Sequence, residues 1–317
     1  MTRPHEDSPN PSRSAVTVFA PAKVNLILRV LDRRPDGFHN LWTLMQTVEL
    51  EDTVTIRLAP QHAEIRLQCD SYSLSVDQTN LVYRAAVAVL AQLQQKIGLD
   101  IRLAKRIPMG AGLGGGSSDA AATILGINRL LNLDWSAARM AQIGQELGSD
   151  VPFFFYAPTA VVAGRGEQVR AIHMADSRWA VLVNPGFPVE TKWAYQQLST
   201  TRQSVTPLSE RCAQLESQSR TTWDEVISLA SNDFEGPVFS THPVLQQIKL
   251  DLLNRGAQLA LLSGSGATVF GIFREEAGAR QAAAFLHGRS ELKIFVAQTS
   301  SGKLRVEGSA SDLLAIG

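Results

Sequence analysis

The chain of 317 residues has only two cysteines, Cys69 and Cys212, and no Cys-x-x-Cys pair. That excludes a zinc ribbon or redox dithiol and suits two idle thiols in a reducing compartment. Six histidines are scattered without a His-Glu-x-x-His spacing, so the zinc-protease signature is missing too. No apolar run comes near the roughly 20 residues that span a bilayer. The charges cancel, 30 Lys+Arg against 30 Asp+Glu. That argues against a broad footprint for nucleic acid or an anionic membrane, but leaves room for a local phosphate site. Residues 1–14 carry Pro4, Pro9, Pro11, Glu6 and Asp7 and no apolar stretch. They read as a disordered tail rather than a signal or transit peptide. A cytoplasmic location is the expectation.

What is present is a sizeable apolar fraction, 44% hydrophobic against 19% charged, over a length that suits about two domains. Two apolar runs, 16–20 and 24–31, read as strands, the first closed by Pro21. Period-two alternation marks strands at 54–58 and 65–67. An Ala- and Leu-rich stretch predicts a helix over 80–95, with 77–79 as cap candidates. A strand at 101–103, helices at 117–131 and 135–147, and a strand at 160–163 follow. The second half reads as strands at 179–183, 259–262, 269–273 and 294–297, with helices at 223–230, 242–254 and 275–286. The stretch 201–219 shows no clear period. Strands and helices mix without regular βαβ alternation, so an α+β chain of two domains is expected. Its divisions are placed at 15–168 and 169–300, with tails at 1–14 and 301–317.

The most informative stretch runs Pro108-Met109-Gly110-Ala111-Gly112-Leu113-Gly114-Gly115-Gly116-Ser117-Ser118. Five glycines fall within seven positions, directly before a helix. Glycine lets backbone N–H groups approach an anion closely. The helix adds its positive end and unpaired N–H groups, and Ser117 and Ser118 can cap it or donate to phosphate oxygens. A flexible linker is the bland alternative. A Walker A loop is excluded, because Gly116 stands where lysine is required. A dinucleotide fingerprint fits Gly110, Gly112 and Gly115 and leaves a nicotinamide dehydrogenase as a rival. A phosphate-binding module without turnover is another.

This loop resembles the second motif of the GHMP small-molecule kinase superfamily, which includes galactose, homoserine, mevalonate and phosphomevalonate kinases. Pro21-Ala22-Lys23-Val24-Asn25-Leu26 resembles its first motif, and the turn from Leu262 to Phe270 its third. The motifs occur in order between about 16 and 297. The stretches Asp36-Gly37-Phe38-His39, Gly114 to Ser118 and Gly148-Ser149-Asp150-Val151-Pro152-Phe153 narrow the resemblance. They resemble the branch whose acceptor is 4-diphosphocytidyl-2-C-methyl-D-erythritol, in the non-mevalonate isoprenoid pathway. Another kinase of the superfamily is the nearest rival.

The resemblance implies an N-terminal domain like the second domain of ribosomal protein S5 and a ferredoxin-like C-terminal domain, with the active site in the cleft between them. It implies ATP as co-substrate, accompanied by Mg²⁺ whose protein ligands are unknown. Asp150, by its residue type either a turn residue or a functional acid, is implied to be the general base. Lys23, which could equally snorkel to solvent, is implied to sit beside it, keeping the acid ionised and easing hydroxyl deprotonation. Asn25 shares Lys23's strand face. With Phe38 and His39 it is implied to hold the cytosine, Phe38 standing where tyrosine is common. Tyr195 is a second stacking candidate and Thr191 a weaker substrate contact. Asn80 and Lys105 match positions near the adenine, Lys105 through main-chain atoms. The protein is expected to be a monomer or weak homodimer.

Overall fold

The computed structural model of the chain describes residues 14–299 and 304–307, apart from positions 36, 94, 203 and 206. Most of both expected tails and Asp36 of the Asp-Gly turn therefore lie outside the described residues.

Two long antiparallel strands, β1 (Ala15–Arg33) and β2 (His39–Leu58), form the spine. The start of β1 alternates, with Val16 and Val18 inward, and from Ala20 to Leu28 every residue is buried. One-sided burial has become two-sided there, so the period-two signal vanishes. Sequence reasoning ended a strand at Pro21. The chain instead runs straight through it, with a register shift between Pro21 and Ala22. A bulge tolerates proline because its missing N–H has no ladder partner to lose.

The first half continues with β3 (Ile65–Cys69), α1 (Leu81–Leu90), β4 (Leu99–Ala104), α2 (Gly115–Leu130), α3 (Ala137–Gln145), a 3₁₀ turn (Pro152–Phe155), β5 (Thr159–Gly164) and β6 (Gln168–Ala171). The second half comprises β7 (His173–Met174), β8 (Trp179–Asn184), α4 (Thr191–Thr201), α5 (Glu210–Leu215), β9 (Arg220–Thr221), α6 (Trp223–Leu229), β10 (Ser231–Asn232), α7 (Glu235–Thr241), α8 (Pro243–Asn254), β11 (Leu259–Leu262), β12 (Val269–Phe273), α9 (Glu276–Leu286), β13 (Lys293–Gln298) and β14 (Arg305–Val306). The helix expected over 80–95 is shorter, and its cap is Asn80 rather than a residue of 77–79. The formless 201–219 stretch contains α5, and the expected C-terminal tail supplies β14.

In the larger sheet β2 pairs with β5 along its first half and with β4 along its second. β3 lies parallel to β4, and β6 extends β5. The outer side of β1 receives β14 near its start and β10 near its end. Helices α1 to α3 cover one face over a core that includes Val18, Ile56, Ile124 and Phe154. The second sheet has the order β11-β12-β8-β13 with every pair antiparallel, a ferredoxin-like arrangement.

Both faces of the second sheet are covered, so its strands read as continuous apolar runs although their side chains alternate. Ala180, Leu182, Leu259, Leu261, Phe270 and Ile272 face Val24, Leu26, Trp42 and Leu44 of the first sheet. Val181, Val183, Ala260, Leu262, Val269 and Phe273 join the core beneath α4, α7, α8 and α9. The two halves therefore share one dry core. Cys212, Leu215, Trp223 and Val226 complete it, which gives α5 and α6 a packing role.

Candidate active site

Lys23 lies in the doubly covered part of β1 and is buried. Its Nζ donates to Asn25 Oδ1 at 2.7 Å and to the Gly112 carbonyl at 3.0 Å, and it lies 3.4 Å from Asp150 Oδ2. Its backbone N–H donates to the Leu113 carbonyl at 2.9 Å, tying the strand to the glycine loop. A buried ammonium is costly unless oxygens surround it, and here three do. The structure thus rejects the snorkelling alternative. Asn25 shares its face as expected, but its amide is engaged at both ends: Nδ2 donates to Thr43 Oγ1 at 2.9 Å. Asp150 precedes the 3₁₀ turn, where buried Phe153, Phe154 and Phe155 anchor the chain. Its own side chain is 32% exposed, so solvent or a ligand can reach it.

The glycine loop alternates. Gly110, Gly112 and Gly114 have positive φ, while Ala111 and Leu113 between them plug into the shared core. Two of these glycines are required by their surroundings. A Cβ on Gly114 would lie 2.8 Å from Lys23 Cγ, and one on Gly112 would lie 2.0 Å from the Ser263 carbonyl oxygen. The third motif braces the loop: Ser263 Oγ donates to the Gly112 carbonyl at 3.0 Å, and the Thr268 N–H to that of Ala111 at 3.2 Å. Pro108 and Met109 lead into the loop, with Met109 exposed. Gly115 and Gly116 already belong to α2, whose N-cap is Gly114 and has no side-chain acceptor. Neither serine caps the helix: Ser118 Oγ is buried without a partner among the described residues. An uncapped helix start behind a curled backbone suits an incoming anion.

Beyond Asp150 lies an aromatic wall. His39 stacks on Tyr195, with ring centroids 5.1 Å apart and an interplanar angle of 17°. Tyr195 meets Phe234 edge-on at 4.9 Å. Burial, then the nearby Asp150 charge, pushes the Tyr195 hydroxyl pKa up. Burial, then Arg33 and Arg202, pulls that of His39 down, so its ring is neutral at pH 7. Phe38 is exposed, with the Arg165 guanidinium 4.1 Å from its ring centroid. Thr191 opens α4, and its Oγ1 is 3.0 Å from Ser265 Oγ on the third-motif turn. Lys23, Asn25, Asp150 and Tyr195 are thus brought to one place, with His39 against Tyr195.

The two adenine-side candidates are held differently from expectation. Asn80 Oδ1 accepts from the Val82 N–H at 2.8 Å, and its Nδ2 donates to the Ser75 carbonyl at 2.6 Å, so the side chain caps α1. Lys105, expected to act through main-chain atoms, has its side chain buried between two acids. It donates to Asp119 Oδ2 at 2.7 Å and to Asp52 Oδ2. Asp52 Oδ1 also accepts the N–H groups of Arg106 at 2.5 Å and Ile107 at 2.9 Å. Sequence reasoning missed both acids: Asp52 stands beside Glu51 and Asp119 beside Ser117 and Ser118, so neither looks like a buried charge. Burial raises the Asp119 pKa to about 7, with Asp52 adding to the rise and Lys105 opposing it. Burial would lower the Lys105 pKa, but Asp119 and Asp52 outweigh it and hold the ammonium above its ordinary value. Among the described residues no three His, Cys, Asp or Glu group to hold a metal, and no helix is long and apolar enough to cross a membrane.

Comparison with known proteins agrees with this geometry. The chain matches the family described as GHMP kinases N terminal domain over 80–157, and GHMP kinases C terminal over 213–290. It is 44% identical over 275 residues to the 4-diphosphocytidyl-2-C-methyl-D-erythritol kinase of Geobacter sulfurreducens, covering 87% of this chain and 96% of that protein. The protein of that name from Heliobacterium modesticaldum is 39% identical, covering 89% and 95%. A crystal structure of 4-(cytidine 5'-diphospho)-2C-methyl-D-erythritol kinase superposes with a TM-score of 0.73 at 33% identity, covering 90% of this chain and all of that one. A homoserine kinase from Cytophaga hutchinsonii reaches the same TM-score at 20% identity, covering 96% and 100%, a likeness of fold alone.

Proposed function

The chain belongs to the GHMP kinase family and, within it, to the 4-diphosphocytidyl-2-C-methyl-D-erythritol kinases; from that premise we propose its reaction and the residues that carry it. The γ-phosphoryl of ATP passes to the position-2 hydroxyl of 4-diphosphocytidyl-2-C-methyl-D-erythritol, giving ADP and the 2-phosphate. The reaction serves the non-mevalonate route to isoprenoid precursors. The observation that carries the assignment of roles is the Lys23–Asp150 pair, 3.4 Å apart, with Lys23 bonded to the glycine loop through the Gly112 carbonyl.

Phosphoryl transfer needs phosphates held in line, charge neutralised and a proton acceptor. The glycine loop and the uncapped start of α2 hold the phosphates. Asp150 takes the hydroxyl proton. Lys23, fixed by Asn25 and Gly112, offers its positive charge to the oxygen that develops charge and to the incoming phosphoryl group. ATP enters as its magnesium complex. A dehydrogenase would need the loop between neighbouring parallel strands, but β4, which leads into it, and β5, which follows α2 and α3, pair with different halves of β2 and not with each other.

Phe38, His39 and Tyr195 form the cytosine end, with Asn25 supporting it through Lys23. Base–aromatic stacking is worth roughly 1–3 kcal/mol by alanine substitution, or ~5–150-fold in affinity. Phe38→Ala is expected to raise KM for the cytidyl substrate within that range, Phe38→Tyr to be nearly silent, and His39→Ala to weaken the same substrate. KM for ATP should stay put in all three. Steady-state kinetics with each substrate varied in turn checks this, and an effect of Phe38→Ala on ATP alone would reverse the assignment of the two ends. The whole reading is tested by coupled ADP release with the cytidyl alcohol, homoserine and mevalonate side by side. Turnover with either of the latter and none with the first overturns it.

A further inference from the structure

One cluster takes no part in the proposed reaction. Lys105, just past the end of β4, places its ammonium between Asp52 on β2 and Asp119 in the second turn of α2. Asp52 also holds the N–H groups of Arg106 and Ile107, which open the glycine loop. Asp119 lies just past the loop's other end, and a Cβ on Gly115 would come within 3.3 Å of Lys105 Nζ. One buried cation therefore fastens both ends of the loop and the strand beneath them. Two acids and one base buried together are a poor route to stability, since desolvation costs each of them. They are a good route to a fixed geometry.

We propose that Asp52 and Asp119 are positioning residues for ATP, acting through Lys105 to set the separation of the two ends of the glycine loop. The inference rests on the reading of that loop as the nucleotide site. It also carries a charge consequence. With both acids ionised the cluster has a net negative charge beside the start of α2, where the triphosphate is to bind. The groups facing Asp119 are Lys105, Asp52 and, on β3, Cys69, whose thiol pKa feels the Asp119 charge. Asp70 adjoins them, accepting the Lys105 N–H at 2.9 Å. Asp119, with its pKa raised to about 7, sheds its proton near neutrality. Below that pH the cluster is neutral and does not oppose the anion, and above it repels the anion.

Calorimetry with β,γ-imido ATP and, separately, with the cytidyl substrate decides the matter. Asp119→Ala is expected to weaken the nucleotide roughly 10–100-fold, the usual result of losing a hydrogen bond to a charged group. The cytidyl constant should stay within about twofold, the scatter of ordinary surface substitutions. Asp119→Asn keeps an acceptor for Lys105 but cannot ionise. The ratio of the wild-type to the Asp119→Asn dissociation constant, which cancels the nucleotide's own titration, should rise as pH passes through 7. A flat ratio, or equal weakening of both ligands in Asp119→Ala, overturns the proposal. Should Asp119→Ala fail to fold, the ratio from Asp119→Asn still decides. A wild-type protein that binds no nucleotide at all sinks the kinase reading instead.

Discussion

Asp150→Asn is expected to lower turnover by roughly 10²–10⁴-fold, the usual loss on removing a general base. The substitution keeps the shape of the side chain and removes its capacity to take a proton. The fold should not notice, because Asp150 is partly exposed and its turn is anchored by Phe153, Phe154 and Phe155. Lys23 loses one partner but keeps Asn25 Oδ1 and the Gly112 carbonyl. KM for both substrates should therefore change little while kcat collapses. Steady-state kinetics beside a thermal melt checks the split. A variant turning over within threefold of wild type would remove Asp150 from the mechanism.

Gly112→Ala is expected to damage both stability and nucleotide binding. Gly112 sits at φ +76°, where an L side chain costs about 1–2 kcal/mol before any clash. The added Cβ would stand 2.0 Å from the Ser263 carbonyl oxygen and 3.0 Å from that of Gly266. These are backbone atoms, so the third-motif turn must retreat, loosening the Ser263 bond to the Gly112 carbonyl. That same carbonyl holds Lys23, so the lysine moves as well. At roughly 2–4 °C per kcal/mol for a chain of this class, Tm should fall by at least several degrees. Gly116→Ala is the control for stability. It lies in α2, and its Cβ would meet only Leu81 Cδ1 at 3.4 Å, so Tm should hold or rise with the better helix former. Equal melting of the two variants would show that crowding at Gly112 has been misjudged.

The contact between Lys23 and Asn25 was legible because chemistry and spacing coincide there. Lys23 and Asn25 are two residues apart in a strand, and their side chains do bond to each other. The ordered motifs supplied Asp150, and the five glycines announced the loop. Pro21 was misread because a bulge hides the rule that proline ends strands. Lys105, Asp52 and Asp119 escaped because their partnership joins three segments separated by up to 67 residues. No periodicity within one segment records such a meeting. The sign that was available was slight: Asp119 leads a run of alanines, whereas Asp52 follows Glu51 and reads as one more surface acid. A lone buried charge requires a partner, and sequence alone does not say which. The glycine loop showed a subtler gap. Its count of glycines was obvious, but the use of Ala111 and Leu113 as plugs depends on a core shared by two sheets.

The edge of β1 carries a consequence for how the chain is born. Its outer side is covered by β10, through Ile27 with Ser231, and by β14, through Val18 with Val306. A ribosome that has finished β1 must therefore add the rest of the chain before that edge is closed. At about 5–20 residues per second the wait for Val306 is roughly 15–60 s. During that interval a nascent strand with Val16, Val18 and Val24 among its residues presents unpaired backbone groups, the template on which other strands misassemble. The exposure of this edge is thus a property of the growing polypeptide, and it ends only when β10 and β14 have been made.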